Sequence, residues 1–296
     1  MAGARLAALV HSPWPARATW AVLPLLAGPA VGGALGDASR PVQLVASVGL
    51  WAGWAVVLVA TLVPTTVSLT ALRVAAPAAV AAATAALVAE GVDGADVVGV
   101  VGAVVACLAA LAPETAEAFV DGSSYGDERR LPLRTPVGLL AGPVELAWLA
   151  VVAGGATGPL LLAARQWAAG AVALVAGVPA AWWGLRALHT LARRWLVFVP
   201  AGVVVHDPLT LLDPVLLRRQ DVAALGPAPA DSRALDLTAG APGLALEVRL
   251  SGPVELLPLG RGRAPAPLTP ASAVLVTPAR PGRVLAEARR RRLRVR

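Results

Sequence analysis

Residues 167–206 read WAAGAVALVAGVPAAWWGLRALHTLARRWLVFVPAGVVVH, and the fold is decided inside this stretch. As far as Leu188 it is almost wholly apolar, at the length of about 20 residues that a helix needs to cross a hydrocarbon core. Arg186, Arg193 and Arg194 close the run. Beyond Arg194 the apolar runs become short and are bounded by Gly and Pro, which is the pattern of β-strands. A membrane-spanning helix therefore feeds directly into a β-rich domain.

Toward the N-terminus the membrane pattern repeats. Windows of spanning length fall at 19–35, 42–62, 67–88, 95–111 and 143–163, and the stretch above supplies the sixth at 167–188. The expected division is a six-helix transmembrane domain over 1–192, with a polar loop at 114–136, and a β-rich domain over 193–296. The whole composition agrees: the 296 residues are 57% hydrophobic and only 15% charged, and mean hydropathy is +0.70, too apolar for a water-soluble domain. A cleaved signal peptide is the competing reading of the first run, because Arg5 precedes it; the run's length and the spans that follow argue for a retained helix.

Charge is divided unevenly. Residues 1–192 hold 9 Arg against 10 acids, and 193–296 hold 16 Arg against 8, so the positive charge belongs to the C-terminal third. The basic residues are all Arg, with no Lys, Ile or Asn anywhere, a bias of GC-rich codons that warns against reading Arg as phosphate chemistry by itself. Arginines cluster in the N-terminal arm (Arg5, Arg17), near Arg73, at Arg129, Arg130 and Arg134, and after the sixth span. By the positive-inside rule this places both termini in the cytoplasm of a multi-pass protein of the inner cell membrane.

The C-terminal third reads as strands at 195–199, 203–206, 214–217, 234–238, 244–250, 254–257 and 273–277, with clear alternation at Leu244, Leu246, Val248 and Leu250. A helix from Pro281 closes the domain. The order WLVFVPAGVVVHDPLTLLDPVLLRRQDVAAL, followed by further strands and VLVTPARPGRVLAEARRRRL, resembles the pleckstrin-homology-like domains appended to bacterial membrane proteins. With the loop FVDGSSYGDERRLPLRTP, the arrangement is similar to uncharacterised actinobacterial multi-pass membrane proteins. The resemblance implies a small barrel or sandwich closed by a helix, and no activity.

Three groups of residues are candidates for function. The first is the loop carrying Asp121, Ser123, Ser124, the only tyrosine Tyr125, Asp127, Glu128, Arg129, Arg130 and Arg134. It reads either as a docking loop beside the basic domain or as a solvated linker turned by Gly122 and Gly126. The second is Arg73 and Glu145, charged residues in or at the ends of spans, which form an ion pair or else are separately accommodated, Arg73 by snorkelling and Glu145 by the helix dipole. The third is Arg289, Arg290, Arg291 and Arg292, which contact anionic lipid or serve as an ordinary cytoplasmic tail. The nine tryptophans are expected at helix ends as interfacial anchors.

Other chemistries find no support. Cys107 is the lone cysteine, and His11, His189 and His206 are scattered, so no metal or cofactor is expected. The string DGSSYGDERR lacks the later paired aspartates of membrane alcohol phosphatidyltransferases, and no phosphate loop or Ser-His-Asp pattern occurs. Stacking aromatics between the arginines are missing, which argues against nucleic acid. The expected function is a non-enzymatic scaffold or regulator whose domain binds a protein partner or anionic inner-leaflet lipid. The alternatives are a small transporter or permease, and a lipid-acting enzyme using Asp121, Asp127 and Glu128.

Overall fold

The computed structural model describes residues 12–90, 93–260 and 266–296; Arg5 and His11 lie outside them. The chain divides into two compact units, one of residues 1–122 and 145–189, the other of 123–144 and 190–296.

The first unit is helical: α1 (Trp14–Ala34), α2 (Arg40–Leu62), α3 (Thr66–Glu90), α4 (Gly94–Leu111), α5 (Pro113–Asp121), α7 (Pro143–Ala163) and α8 (Trp167–Ala192), with the one-turn α6 (Val137–Leu140) falling in the second unit. A long helix stands at every expected span. Four of them, α2, α3, α7 and α8, are long and apolar enough to cross a membrane. A fifth is obtained if α4 and α5, bent by 52° at the break between them, count as one broken span. Pro113 opens α5, and a proline cannot donate the hydrogen bond that would continue α4 through it. The 21 residues of α1 include Arg17, Pro24 and Pro29 and leave it outside that set.

Small residues let these helices approach closely, as they do in lipid, where burial of apolar surface gives no net drive. A Cβ on Gly99 of α4 would stand 3.2 Å from the Leu26 carbonyl oxygen of α1, and one on Gly177 of α8 would stand 2.8 Å from the Gly154 carbonyl oxygen of α7. Gly158 faces Leu174 and Gly184 faces Ala147, so α7 and α8 run antiparallel in a register that sets Glu145 level with Arg186.

The tryptophans do more than anchor. The Trp20 indole donates to the Trp54 carbonyl (3.1 Å) while the Trp54 indole donates to the Trp20 carbonyl (2.9 Å), which links α1 to α2. Trp148 donates to the Val74 carbonyl (3.0 Å) and links α7 to α3. Trp14, Trp51, Trp167, Trp182 and Trp183 are exposed and keep the interfacial reading.

The second unit holds two four-stranded open sheets. β1 (Arg129–Pro132), β2 (Trp195–Val199), β3 (Gly202–His206) and β4 (Val215–Arg218) form one antiparallel sheet in sequence order. β5 (Val222–Pro227), β6 (Leu235–Asp236), β7 (Leu246–Leu256) and β8 (Thr269–Val276) form the other, in the order β5-β7-β8-β6. The inward residues of both sheets, including Leu196, Phe198, Val203, Val248, Val274 and Val276, share one core with Val284 and Ala288 of α9 (Pro281–Arg290).

The second unit departs from the sequence pattern in three places. The segment 114–136 is not an open loop: it contains most of α5 and then β1, which pairs Arg129 with Phe198 and Leu131 with Leu196. The β unit therefore begins at 123 and not at 193. The runs at 244–250 and 254–257 form one strand, β7, with a register shift between Arg249 and Val254, where Gly252 and Pro253 interrupt the ladder. Leu244 precedes that strand and is exposed.

Candidate functional site

The loop residue Asp127 and the C-terminal arginines meet in the second unit. A cleft of about 320 Å³ is lined by Asp127, by Val199, Pro200 and Gly202 at the β2–β3 turn, by Arg219 after β4, and by Arg290, Arg291, Arg292 and Leu293 at the end of α9. Each element is held there by the core. Leu131 and Leu133 are buried and fix β1 two residues beyond Asp127. The buried Val284 and Ala288 seat α9. After the helix, Leu225 donates its N–H to the Arg294 carbonyl and Arg296 donates to the Leu225 carbonyl. The basic tail is thus part of the folded domain, not a free extension.

Within the cleft the arginines differ in what holds them. Arg290 donates twice to Glu287 (2.8 and 2.7 Å) and Arg291 once (2.6 Å). These bonds outweigh burial, which alone would raise the Glu287 carboxyl, and keep it below its ordinary range. Arg291 also donates to the Asp127 backbone carbonyl. The Asp127 carboxylate stands farther off, 3.6 Å from Arg291 and 4.0 Å from Arg290, and remains exposed. Arg219 and Arg292 form no side-chain ion pair among the described residues.

Arg292 has φ of 56°, the left-handed conformation that ends many helices and normally falls to glycine. Its N–H donates to Arg289 and the next N–H to Ala288. An arginine at this position costs about 1 kcal/mol relative to the glycine such a turn favours. Four guanidinium groups line the cleft with Asp127, and Glu287 beside it pairs with two of them; the balance leaves two positive charges uncompensated, an arrangement that attracts anions.

The other loop candidates are dispersed. Glu128 accepts from Arg130 (3.1 Å), and Arg130 stands over the Trp195 ring at 5.8 Å. Tyr125 is 87% exposed. Gly126 turns the connector with φ of 60°, beside the exposed Ser123 and half-buried Ser124. Arg129 lies in β1, Asp121 ends α5 in the helical unit, and Arg289 is exposed on α9. Of the three carboxylates considered for lipid chemistry, only Asp127 lines the cleft.

Arg73 and Glu145 both lie in the helical unit. Arg73 encloses an Nε with no hydrogen-bond partner. The Trp148–Val74 bond brings the second turn of α7 to the residue after Arg73, while the α7–α8 register sets Arg186 level with Glu145.

One structural node escaped the sequence. Arg194 is buried and makes a bidentate pair with the buried Asp207 (2.8 and 2.7 Å), then donates to the Arg134 carbonyl (2.5 Å). Leu133 donates back to the Arg194 carbonyl. Arg194, two residues past the end of α8, thereby ties the end of β1 to the end of β3. Its signal in the sequence, an arginine at a helix end, is the same as that of an ordinary cytoplasmic anchor.

A second cleft, of about 700 Å³, lies between 229–235 and the first half of β8. Its floor includes Glu247, whose two oxygens are taken up by Ser232, Arg249 and Arg296. Among the described residues no group of three or more His, Cys, Asp and Glu is placed to hold a metal ion. No family model, curated protein or solved structure matches the chain.

Proposed function

We propose that the chain is a multi-pass scaffold of the inner cell membrane, whose basic domain docks anionic inner-leaflet headgroups through the Arg219–Arg292 cleft. In this reading α1 is the sixth span, both termini are cytoplasmic, and the β unit is pleckstrin-homology-like. Two sheets sharing a core with a C-terminal helix support the last point, and the arginine distribution supports the orientation. The observation that carries the proposal is the cleft itself, where two of four arginines have no carboxylate partner among the described residues.

The test is native mass spectrometry of the detergent-solubilised full chain with a mixture of phosphatidylglycerol and phosphatidylcholine. Preferential retention of the anionic lipid by the wild type, lost in Arg219→Ala/Arg292→Ala, is the expected result. Equal retention of both lipids by the wild type overturns it.

A small permease is the second reading, favoured by the broken α4–α5 helix and the buried Asp96 and Glu117. A proton flux in proteoliposomes that Glu117→Gln abolishes would support it, and a protein without flux would exclude it.

A further inference from the structure

We infer that the cleft takes a phosphate monoester in exchange for the Asp127 carboxylate, so that Asp127 is an internal competitor of the ligand. The inference rests on the lipid-docking reading and names its ligand class and its control.

Charge selects the ligand. Arg219, Arg290, Arg291 and Arg292 supply four positive charges and Asp127 and Glu287 remove two, which leaves two. A phosphate monoester carries about −1.5 to −2 at pH 7, with a second pKa near 6, whereas a phosphodiester headgroup carries a single charge. Planar guanidinium groups also match the three oxygens of a terminal phosphoryl group.

The two carboxylates have different roles. Glu287 lies one turn before its arginines on α9, 11% exposed and bonded at 2.6–2.8 Å, and it positions them. Asp127 is 69% exposed and at 3.6–4.0 Å. Exposed pairs of this kind contribute no more than about 1 kcal/mol, so a dianion displaces Asp127 at small cost. Asp127 lies in the connector between α5 and β1, and its release leaves its backbone bond to Arg291 in place. Arg292 keeps a conformation suited to glycine, which is the expected cost of a side chain retained for binding.

The experiment is calorimetric titration of the detergent-solubilised full chain with short-chain phosphatidic acid, short-chain phosphatidylglycerol and inorganic phosphate. Phosphatidic acid is expected to bind about tenfold more tightly than phosphatidylglycerol at pH 7.5, with the difference closing at pH 5 as the monoester loses its second charge. Asp127→Asn is expected to tighten phosphatidic acid by about three- to fivefold. Arg292→Gly is expected to lose affinity while the protein melts no lower than wild type, which separates binding from folding. Equal binding of both lipids overturns the monoester and leaves the docking reading standing. Inorganic phosphate binding as tightly as phosphatidic acid keeps the phosphoryl site and overturns its lipid source. Unchanged affinity in Asp127→Asn overturns the competitor role. No binding by either protein overturns both readings.

Discussion

At the scale of single residues, the β unit is governed by how its buried charges are met. Arg194 and Asp207 satisfy one another and the Arg134 carbonyl at almost zero exposure, and removing one partner strands the other in the core. Asp207→Leu is therefore expected to cost about 3–5 kcal/mol, with Arg194→Met/Asp207→Leu less damaging than either single change. Thermal unfolding of the purified proteins checks this, and a double variant as unstable as the worse single would contradict it.

Two titrations set the response to acid. Burial holds the His206 imidazole below its usual range, although its ring N–H donates to the Arg193 carbonyl (2.8 Å) and the ring stacks on Trp195. With the folded pKa depressed, His206 contributes stability above the unfolded value near 6.5, and the contribution is lost as pH falls below it. Burial alone would raise Glu247, but hydrogen bonds from Ser232, Arg249 and Arg296 more than reverse this and bring it below the ordinary carboxyl range. Its contribution is present at neutral pH and is lost only as pH falls below about 4.3 toward the folded value. Melting temperature should thus decline in two steps. His206→Phe should remove the upper step and Glu247→Gln the lower, and a variant that leaves its own step intact would contradict the assignment.

At the scale of elements, the least anticipated is β1. RRLP between α5 and α6 shows neither length nor sustained alternation, and its proline and flanking charges read as connector. It becomes a strand because Leu131 and Leu133 complete a core supplied by residues more than sixty positions away, a long-range term that local pattern does not contain. Leu131→Ala should destabilise the β unit by about 3 kcal/mol, and the amides of Arg129 and Leu131, which face β2 in this register, should resist hydrogen exchange; rapid exchange at both would show that β1 is not part of the sheet. β5 was hidden in a similar way, since its VAALGP run includes a register shift between Val222 and Ala224 that breaks the two-residue period. The long helices were legible because twenty apolar residues in a row admit few other readings, and β2 and β3 because Gly202 separates two clean β-branched and aromatic runs. The cleft was half legible: sequence singled out Asp127 and the C-terminal arginines as separate groups, while Arg219 had no local signal and the β2–β3 turn read only as a strand boundary.

At the scale of the whole molecule, the number of spans sets the side on which each end of the chain lies. α2, α3, α7, α8 and the bent α4–α5 pair make five helices compatible with crossing, and five spans would put the two ends of the chain on opposite sides. Six spans require α1, whose Arg17 donates to the Thr61 carbonyl (2.9 Å) at the end of α2 and so has a polar partner beside the helix end. The cytoplasmic placement of both ends follows only from six, whereas access of the basic cleft to anionic inner-leaflet lipid requires that the C-terminal end lie inside. Substituted-cysteine labelling decides between them, with Cys107→Ala as the background and Ser12→Cys or Ser251→Cys as reporters for a membrane-impermeant maleimide. With six spans and both ends cytoplasmic, both reporters react in inverted vesicles and neither in intact cells; labelling of Ser12→Cys from the cell exterior would contradict this topology.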